Sequence, residues 1–208
     1  MAGKEVYTEY MGFDSLVAAE IMEDTAEVYT PGEVFVLAPA GEIKKSTERS
    51  QTPRYYDNQT YFLLQAEGDD TVELIVPVLP LSVESKIRGK EQNSVTGTVN
   101  NDGMPTTKYF AIGYRLLCLD GTHRYVWRHK GAFTFGDEEA KSKQGTDSNN
   151  ITLTYTGINT IHKFAATKKN SKDIVADERD GLLNYDQWFK QVVTPDNEET
   201  LLKTASGE

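Results

Sequence analysis

The 208-residue chain has a single cysteine, Cys118, only three histidines, and no apolar run long enough to span a bilayer. One cysteine excludes an intramolecular disulfide framework and suits a reducing cytoplasm. The longest apolar candidate, residues 72–81, is broken by Pro77 and Pro80. Residues 1–37 hold no basic stretch followed by an apolar one, so no secretory route is expected and the sequons at Asn58 and Asn150 carry no glycosylation reading. Cations are also scarce. Twenty-two Lys and Arg face 32 Asp and Glu, a formal charge of −10. Gripping nucleic acid through its phosphates requires clustered cations, so this balance argues against it.

Motifs that carry chemistry are missing too. His123, His129 and His162 lie apart with no metal-ligand spacing, and there is no Gly-rich phosphate loop or nucleophile elbow. Cys118 sits in an apolar stretch without a local base, which reads as a buried, inert thiol. The acid pairs Asp69-Asp70, Glu138-Glu139 and Asp177-Glu178 read as solvated charge, because neighbours on a strand point to opposite faces. Asn100-Asn101-Asp102-Gly103 lacks the alternating ligands of a calcium loop and reads as a turn. The expectation is no catalytic residue, no cofactor and no metal.

What is present is period-2 hydrophobic patterning in short bursts, the mark of an antiparallel, mainly β fold in one domain over residues 1–208. The spacing predicts strands over residues 15–22, 26–29 and 34–37, with a turn at Glu23-Asp24-Thr25. It predicts further strands at 71–76, 151–155 and 160–167, and a short helix over 82–88 with Ser82 as N-cap and Gly89 beyond its end. The strongest local signal is a hairpin over 109–135, whose two apolar runs flank Asp120-Gly121. Apolar residues at helical spacing, among them Leu183, Trp188 and Val192, predict a C-terminal helix over 182–193, followed by a flexible tail over 194–208.

Two segments read as contact loops. Residues 51–60, QTPRYYDNQT, combine Pro53 and Asp57-Asn58, which disfavour regular structure, with exposed tyrosines. Residues 92–108 form an extended loop with almost no large apolar side chains. Ordering residues 91–108 costs about 18–36 kcal/mol of backbone entropy. At about 25 cal/mol per Å², offsetting that takes about 700–1,400 Å² of apolar burial, so order there is expected to wait for a partner. The one basic, aromatic-interleaved run is residues 123–130. As a strand it puts Arg124, Val126, Arg128 and Lys130 on one face and Tyr125, Trp127 and His129 on the other. The aromatic stripe is expected to face the core and the basic stripe to pair with acids on a neighbouring strand or subunit; single-strand nucleic-acid binding is the alternative.

Five segments carry a family resemblance: GFDSLVAAEIMED, RYYDNQTYF, TVELIVPVLPLSVESKIRG, the long block from Lys108 to Gly157 containing AIGYR, DGT, RYVW and EEAKSK, and WFKQVVTPD. In that order they resemble the major tail proteins, or tail tube proteins, of long-tailed, non-contractile bacteriophages of Gram-positive hosts. The resemblance implies an antiparallel β-sandwich or barrel with a flanking helix, assembled into hexameric rings that stack into a hollow tube in the virion tail, made in the host cytoplasm. It implies no catalytic residue, cofactor or membrane. Its partners are the chain itself and the tape-measure, tail-terminator and distal tail proteins, with phage DNA passing through the lumen unbound. On this reading part of the −10 charge faces the lumen and repels DNA. Arg49, Pro53, Arg54, Tyr55, Tyr56 and Asn58, then Asn100, Asp102 and Met104, and finally Arg124 and Arg128, become the candidate contacts between subunits or rings. With eleven Tyr and two Trp, a β-sandwich adhesion or carbohydrate-binding module is the rival, and a tail terminator or distal tail protein is a related alternative.

Overall fold

The computed structural model describes residues 7–104, 106–136 and 150–203. Four strands open the chain: β1 (Tyr10–Asp24), β2 (Tyr29–Val36), β3 (Glu42–Tyr56) and β4 (Gln59–Val76). Helix α1 (Leu81–Ile87) follows, then β5 (Phe110–Cys118), β6 (His123–Phe135), β7 (Ile151–Gly157), β8 (Asp173–Asp177) and the short helix α2 (Glu198–Leu202). The fold is mainly β, and every strand pair is antiparallel. The strands run β2-β1-β5-β6-β7-β4-β3, and β8 takes the place beside β6 that β7 vacates. No helix among the described residues is long and apolar enough to cross a membrane.

Alternation along the strands sorts side chains onto two faces. Leu16 and Ala18 of β1, Ile112 and Tyr114 of β5, and Val126 of β6 share one buried cluster with Val72, Leu74 and Val76 of β4 and Leu153 and Tyr155 of β7. Both wings of the sheet meet in that cluster, so the sheet curls on itself as an open barrel, with Leu79 and Ile87 from the α1 region packed into it. The opposite face of β1, β5 and β6 carries Val17, Ala19, Ala111, Tyr125 and Trp127, and the C-terminal segment covers it with Trp188, Val192, Val193 and Leu202. Gly113 makes room for this layer, since a Cβ there would stand 2.8–3.0 Å from the Trp127 ring.

Two bulges reset the alternation. Pairing shifts between Asp14 and Val17, where Ser15 takes a left-handed φ of 56°, and this lets both Phe13 and Leu16 face the barrel interior. A second shift between Arg128 and Gly131 splits the expected basic stripe. Arg128 points inward, whereas Lys130 leaves that face and reaches Asp24 at 2.6 Å. The aromatic stripe of Tyr125 and Trp127 faces a core as expected.

Several expectations are corrected. Residues 182–193 form no α-helix, only a 3₁₀ turn at Tyr185–Gln187. The apolar spacing there is real, but Asn184 caps Asp186 with its side chain, and the backbone N–H of Asn184 donates to Leu202 rather than within a helix. Val192 and Val193 lie flat against the sheet, a use that suits β-branched residues. Residues 194–203 of the expected flexible tail are folded: α2 buries Leu202 at 1% exposure. Residues 204–208 lie outside the described residues. At α1 the cap is Pro80 rather than Ser82, while Gly89 beyond the end has the left-handed φ of 65° expected of it. β2 continues through Pro31, with the pairing register shifted on either side of it; the proline is tolerated because β2 is an edge strand. Residues 160–167 hold no strand, only an isolated bridge from Phe164 to Lys169, whereas β8 was not foreseen.

Candidate assembly interface

β4 pairs with β7 only from Asp70 to Val76, opposite Gly157 to Ile151. Beyond that, β3 and β4 continue as a two-stranded ribbon from the Arg49↔Glu67 pair to the Tyr56↔Gln59 pair. Eight residues at about 3.3 Å each carry it about 26 Å from the barrel. Both strands are exposed along this length on both faces. The tip turns at Asp57 and Asn58 with φ of 49° and 61°, the two left-handed residues of a type I′ hairpin. Residues 51–60 are therefore regular structure. Asn and Asp tolerate the left-handed region, and Pro53 sits on a strand whose outer edge is unpaired.

The ribbon is polar at its root and apolar at its end. Tyr55, Tyr56, Tyr61, Phe62, Leu63 and Leu64 are each 50–70% exposed. Tyr56, Tyr61 and Phe62 pack edge-to-face, with centroids 4.8–6.1 Å apart and ring planes at 71–87°. An isolated two-stranded hairpin is marginal in water, and these apolar side chains gather at the end of one. Sequence reading had Arg49, Pro53, Arg54, Tyr55, Tyr56 and Asn58 on this ribbon; it missed Phe62, Leu63 and Leu64, whose apolar run alone does not reveal that β7 stops short of them.

A polar clamp fixes the root. Arg128, 5% exposed, donates to Asp70 at 2.6 Å and to Asp173 at 3.2 Å, with Tyr114 Oη 3.3 Å away. Thr47 of β3 donates to Asp70 at 2.8 Å, and Lys45 and Lys172 stand 3.4 and 3.8 Å from it. Burial pushes the Asp70 carboxyl up, but the Thr47 hydrogen bond and the charges of Arg128, Lys45 and Lys172 outweigh it and hold the group below its ordinary value. Arg128, an expected subunit contact, thus serves the subunit interior, joining β6 and β8 to the ribbon root. Arg124 lies half-exposed on Asp177 at 2.8 Å and bonds the Tyr10 hydroxyl at 2.6 Å.

The 92–108 loop does not wait for a partner to acquire structure. Asn93 Oδ1 accepts from Val95 and Thr96, Gln92 bridges to Val99, and Lys90 holds the Asp102 carboxylate and the Met104 carbonyl. Polar bonds replace apolar burial as its source of order, which is why composition misjudged it. Asn100, Asp102 and Met104 remain on the surface, with Val95 91% exposed.

No metal-ligating group of three or more side chains occurs among the described residues. No protein-family model and no curated protein matches the chain. Among solved structures, a chain in the 6-fold symmetrised cryo-EM structure of the anti-feeding prophage baseplate matches at 12% identity, over 85% of this chain and 97% of that one, with a TM-score of 0.30. A TM-score of 0.30 carries no inference about fold or function.

Proposed function

We infer that the chain is a structural subunit of a phage tail, and more finely that it builds the tail tube as stacked hexameric rings. The observation that carries this reading is the ribbon. A clamped, projecting hairpin with an unburied apolar tip is a part made to be covered by a neighbour, and the tip and the barrel wall are different surfaces. Contacts between unlike surfaces generate rings where rotation closes and filaments where it does not. The family resemblance of the sequence supplies the tube. The −10 charge supports a lumen that repels DNA and lets it slide. The reading assigns the chain no catalytic step.

The adhesion-module alternative is less well supported, because a sugar-stacking platform presents ring faces side by side. The tip rings are instead edge-to-face. Negative-stain electron microscopy of the purified chain tests the proposal. Rings and tubes are expected, single rings would move it to a terminator or distal tail component, and a monomer at all concentrations would sink it.

A further inference from the structure

Residues 183–203, which cover the outer face of β1, β5 and β6, are bonded to themselves rather than to the barrel. Among the described residues their backbone–backbone hydrogen bonds all close within the segment, including the bond from Asn184 to Leu202 that ties its two ends together. β8, by contrast, pairs with β6 along its whole length. The bonds that do cross to the barrel side run through side chains. The Trp127 indole N–H donates to the Trp188 carbonyl at 2.8 Å, and His129 Nε2 to the Val193 carbonyl at 3.0 Å. The Tyr185 hydroxyl donates to the Asp177 carbonyl, and the Ala166 N–H to the Asp196 carboxylate, each at 2.8 Å. A segment fastened by apolar contact and a few side-chain bonds is a separate unit of local opening. One of its groups also gains in water: Trp188 is fully buried, and its indole N–H has no partner among the described residues.

His129 is the titratable group beneath this cover. A carbonyl only accepts, so Nε2 carries the hydrogen toward Val193, and Nδ1 accepts from the Ser171 hydroxyl at 2.9 Å. A proton added at Nδ1 breaks neither contact, because the Ser171 hydroxyl can turn to the Asp173 carbonyl at 3.2 Å. What the charged ring lacks is water, since His129 is 0% exposed. Hydrating it means lifting a neighbour. Tyr29 sits on β2, which is paired to β1, and its hydroxyl donates to the His129 carbonyl. Lys172 accepts the His129 backbone N–H at 2.8 Å, and Asp173 of β8 is paired with Arg128. The Phe164 ring, which also packs on His162, is tied back by its bridge to Lys169. Val193 alone among these comes from a part with no backbone bond to the barrel. Of the surrounding charges, Asp173 favours the proton, and Lys130 is occupied by Asp24 at 2.6 Å. Two groups oppose release. Burial and then Glu199 raise the Glu198 carboxyl, so its protonation favours the seated segment, and His162, 4.0 Å from Asp196, holds the segment when charged.

We propose that residues 183–203 are an acid-released cover: uptake of a proton by His129 lifts the segment as one unit from the β1, β5 and β6 face while the barrel stays folded. Release bares Val17, Ala19, Ala111, Tyr125 and Trp127, an apolar sheet face. The device is independent of the assembly reading. With His129 at about 4 under the cover and 6.5 in water, opening becomes on the order of thirtyfold more favourable at pH 5 than at pH 7.5. Asp24 and Asp70, both held below 3.8, stay charged at pH 5 and keep the barrel closed.

Hydrogen exchange of the full-length chain, followed by mass spectrometry and corrected for the intrinsic effect of pH, tests the cover. Protection of residues 183–203 is expected to fall together, on the order of thirtyfold, from pH 7.5 to pH 5, while the amides of β5 and β6 keep theirs. His129→Gln keeps a donor for Val193, and His129→Phe keeps a ring beside Tyr29 and Phe164. Each is expected to abolish the fall, whatever level of protection it starts from. Unchanged protection in wild type, a parallel loss in the strands, or the same fall in either variant overturns the proposal.

Discussion

The two ends of β4 are one continuous strand in opposite surroundings. Val72, Leu74 and Val76 are buried to 0–1%, paired on both edges and packed in the barrel, while residues 59–67 are paired on one edge and open on both faces. Cross-strand bonding makes a strand; only a further layer makes a core. The border between the two regimes is Asp70, the last β4 residue to pair with β7 and the centre of the Arg128 clamp. Stability of the subunit should therefore depend on residues from the clamp inward, and assembly on residues from the clamp outward.

The largest expected effect breaks the border itself. Asp70→Ala leaves Arg128 buried with the Tyr114 hydroxyl and only the longer Asp173 ion pair, and removing one partner of a buried pair costs about 3–5 kcal/mol. Urea unfolding measures it; a loss under 1 kcal/mol would mean the clamp is dispensable. Inside the barrel, Gly131→Ala places a Cβ on the Tyr155 ring and the Thr156 carbonyl. Overpacking of this kind costs about 1–3 kcal/mol, read as a lower urea midpoint at unchanged slope.

Acid should act on the barrel in two stages. His129, buried between Val193 and Ser171, is pushed by burial down to about 4 from 6.5. Its folded value is depressed, so the stability linked to its neutral form is complete above pH 6.5 and is lost as pH falls toward 4. Asp24 and Asp70 are also depressed, and their contributions are lost only as pH falls below 3.8. Thermal melts should show Tm falling between pH 6.5 and 4, with His129→Gln flattening that limb alone.

The smallest effect on stability falls on the ribbon. Tyr61→Ser with Leu63→Ser should change the subunit's unfolding free energy by no more than about 0.5 kcal/mol, because these side chains are already in water. Sedimentation should nonetheless shift from assemblies to monomer. Unchanged sedimentation would dissolve the division between core and ribbon.

Much of the barrel was legible because period-2 alternation and the Asp120-Gly121 turn are local. The same locality explains the errors. Leu183, Trp188 and Val192 satisfy helical spacing, but the sheet face they cover offers them flat contact and the asparagines take over the backbone bonds. Of the contact candidates, Arg49, Pro53, Arg54, Tyr55, Tyr56 and Asn58 fall on the ribbon; Arg128 does not, because a bulge two residues on and an acid fifty-eight residues away draw it inward. Nothing near Trp188 in the chain signals that its indole lacks a partner.

Residue order alone determined that this is a β protein, that Tyr125 and Trp127 face a core, and that the tyrosines near Asp57 stay outside, since alternation and turn chemistry act over a few residues. Only the tertiary structure decided where β7 stops, which acid meets Arg128, and which face the C-terminal segment covers. Those outcomes depend on groups distant in the chain arriving together, and short-range pattern holds no record of them.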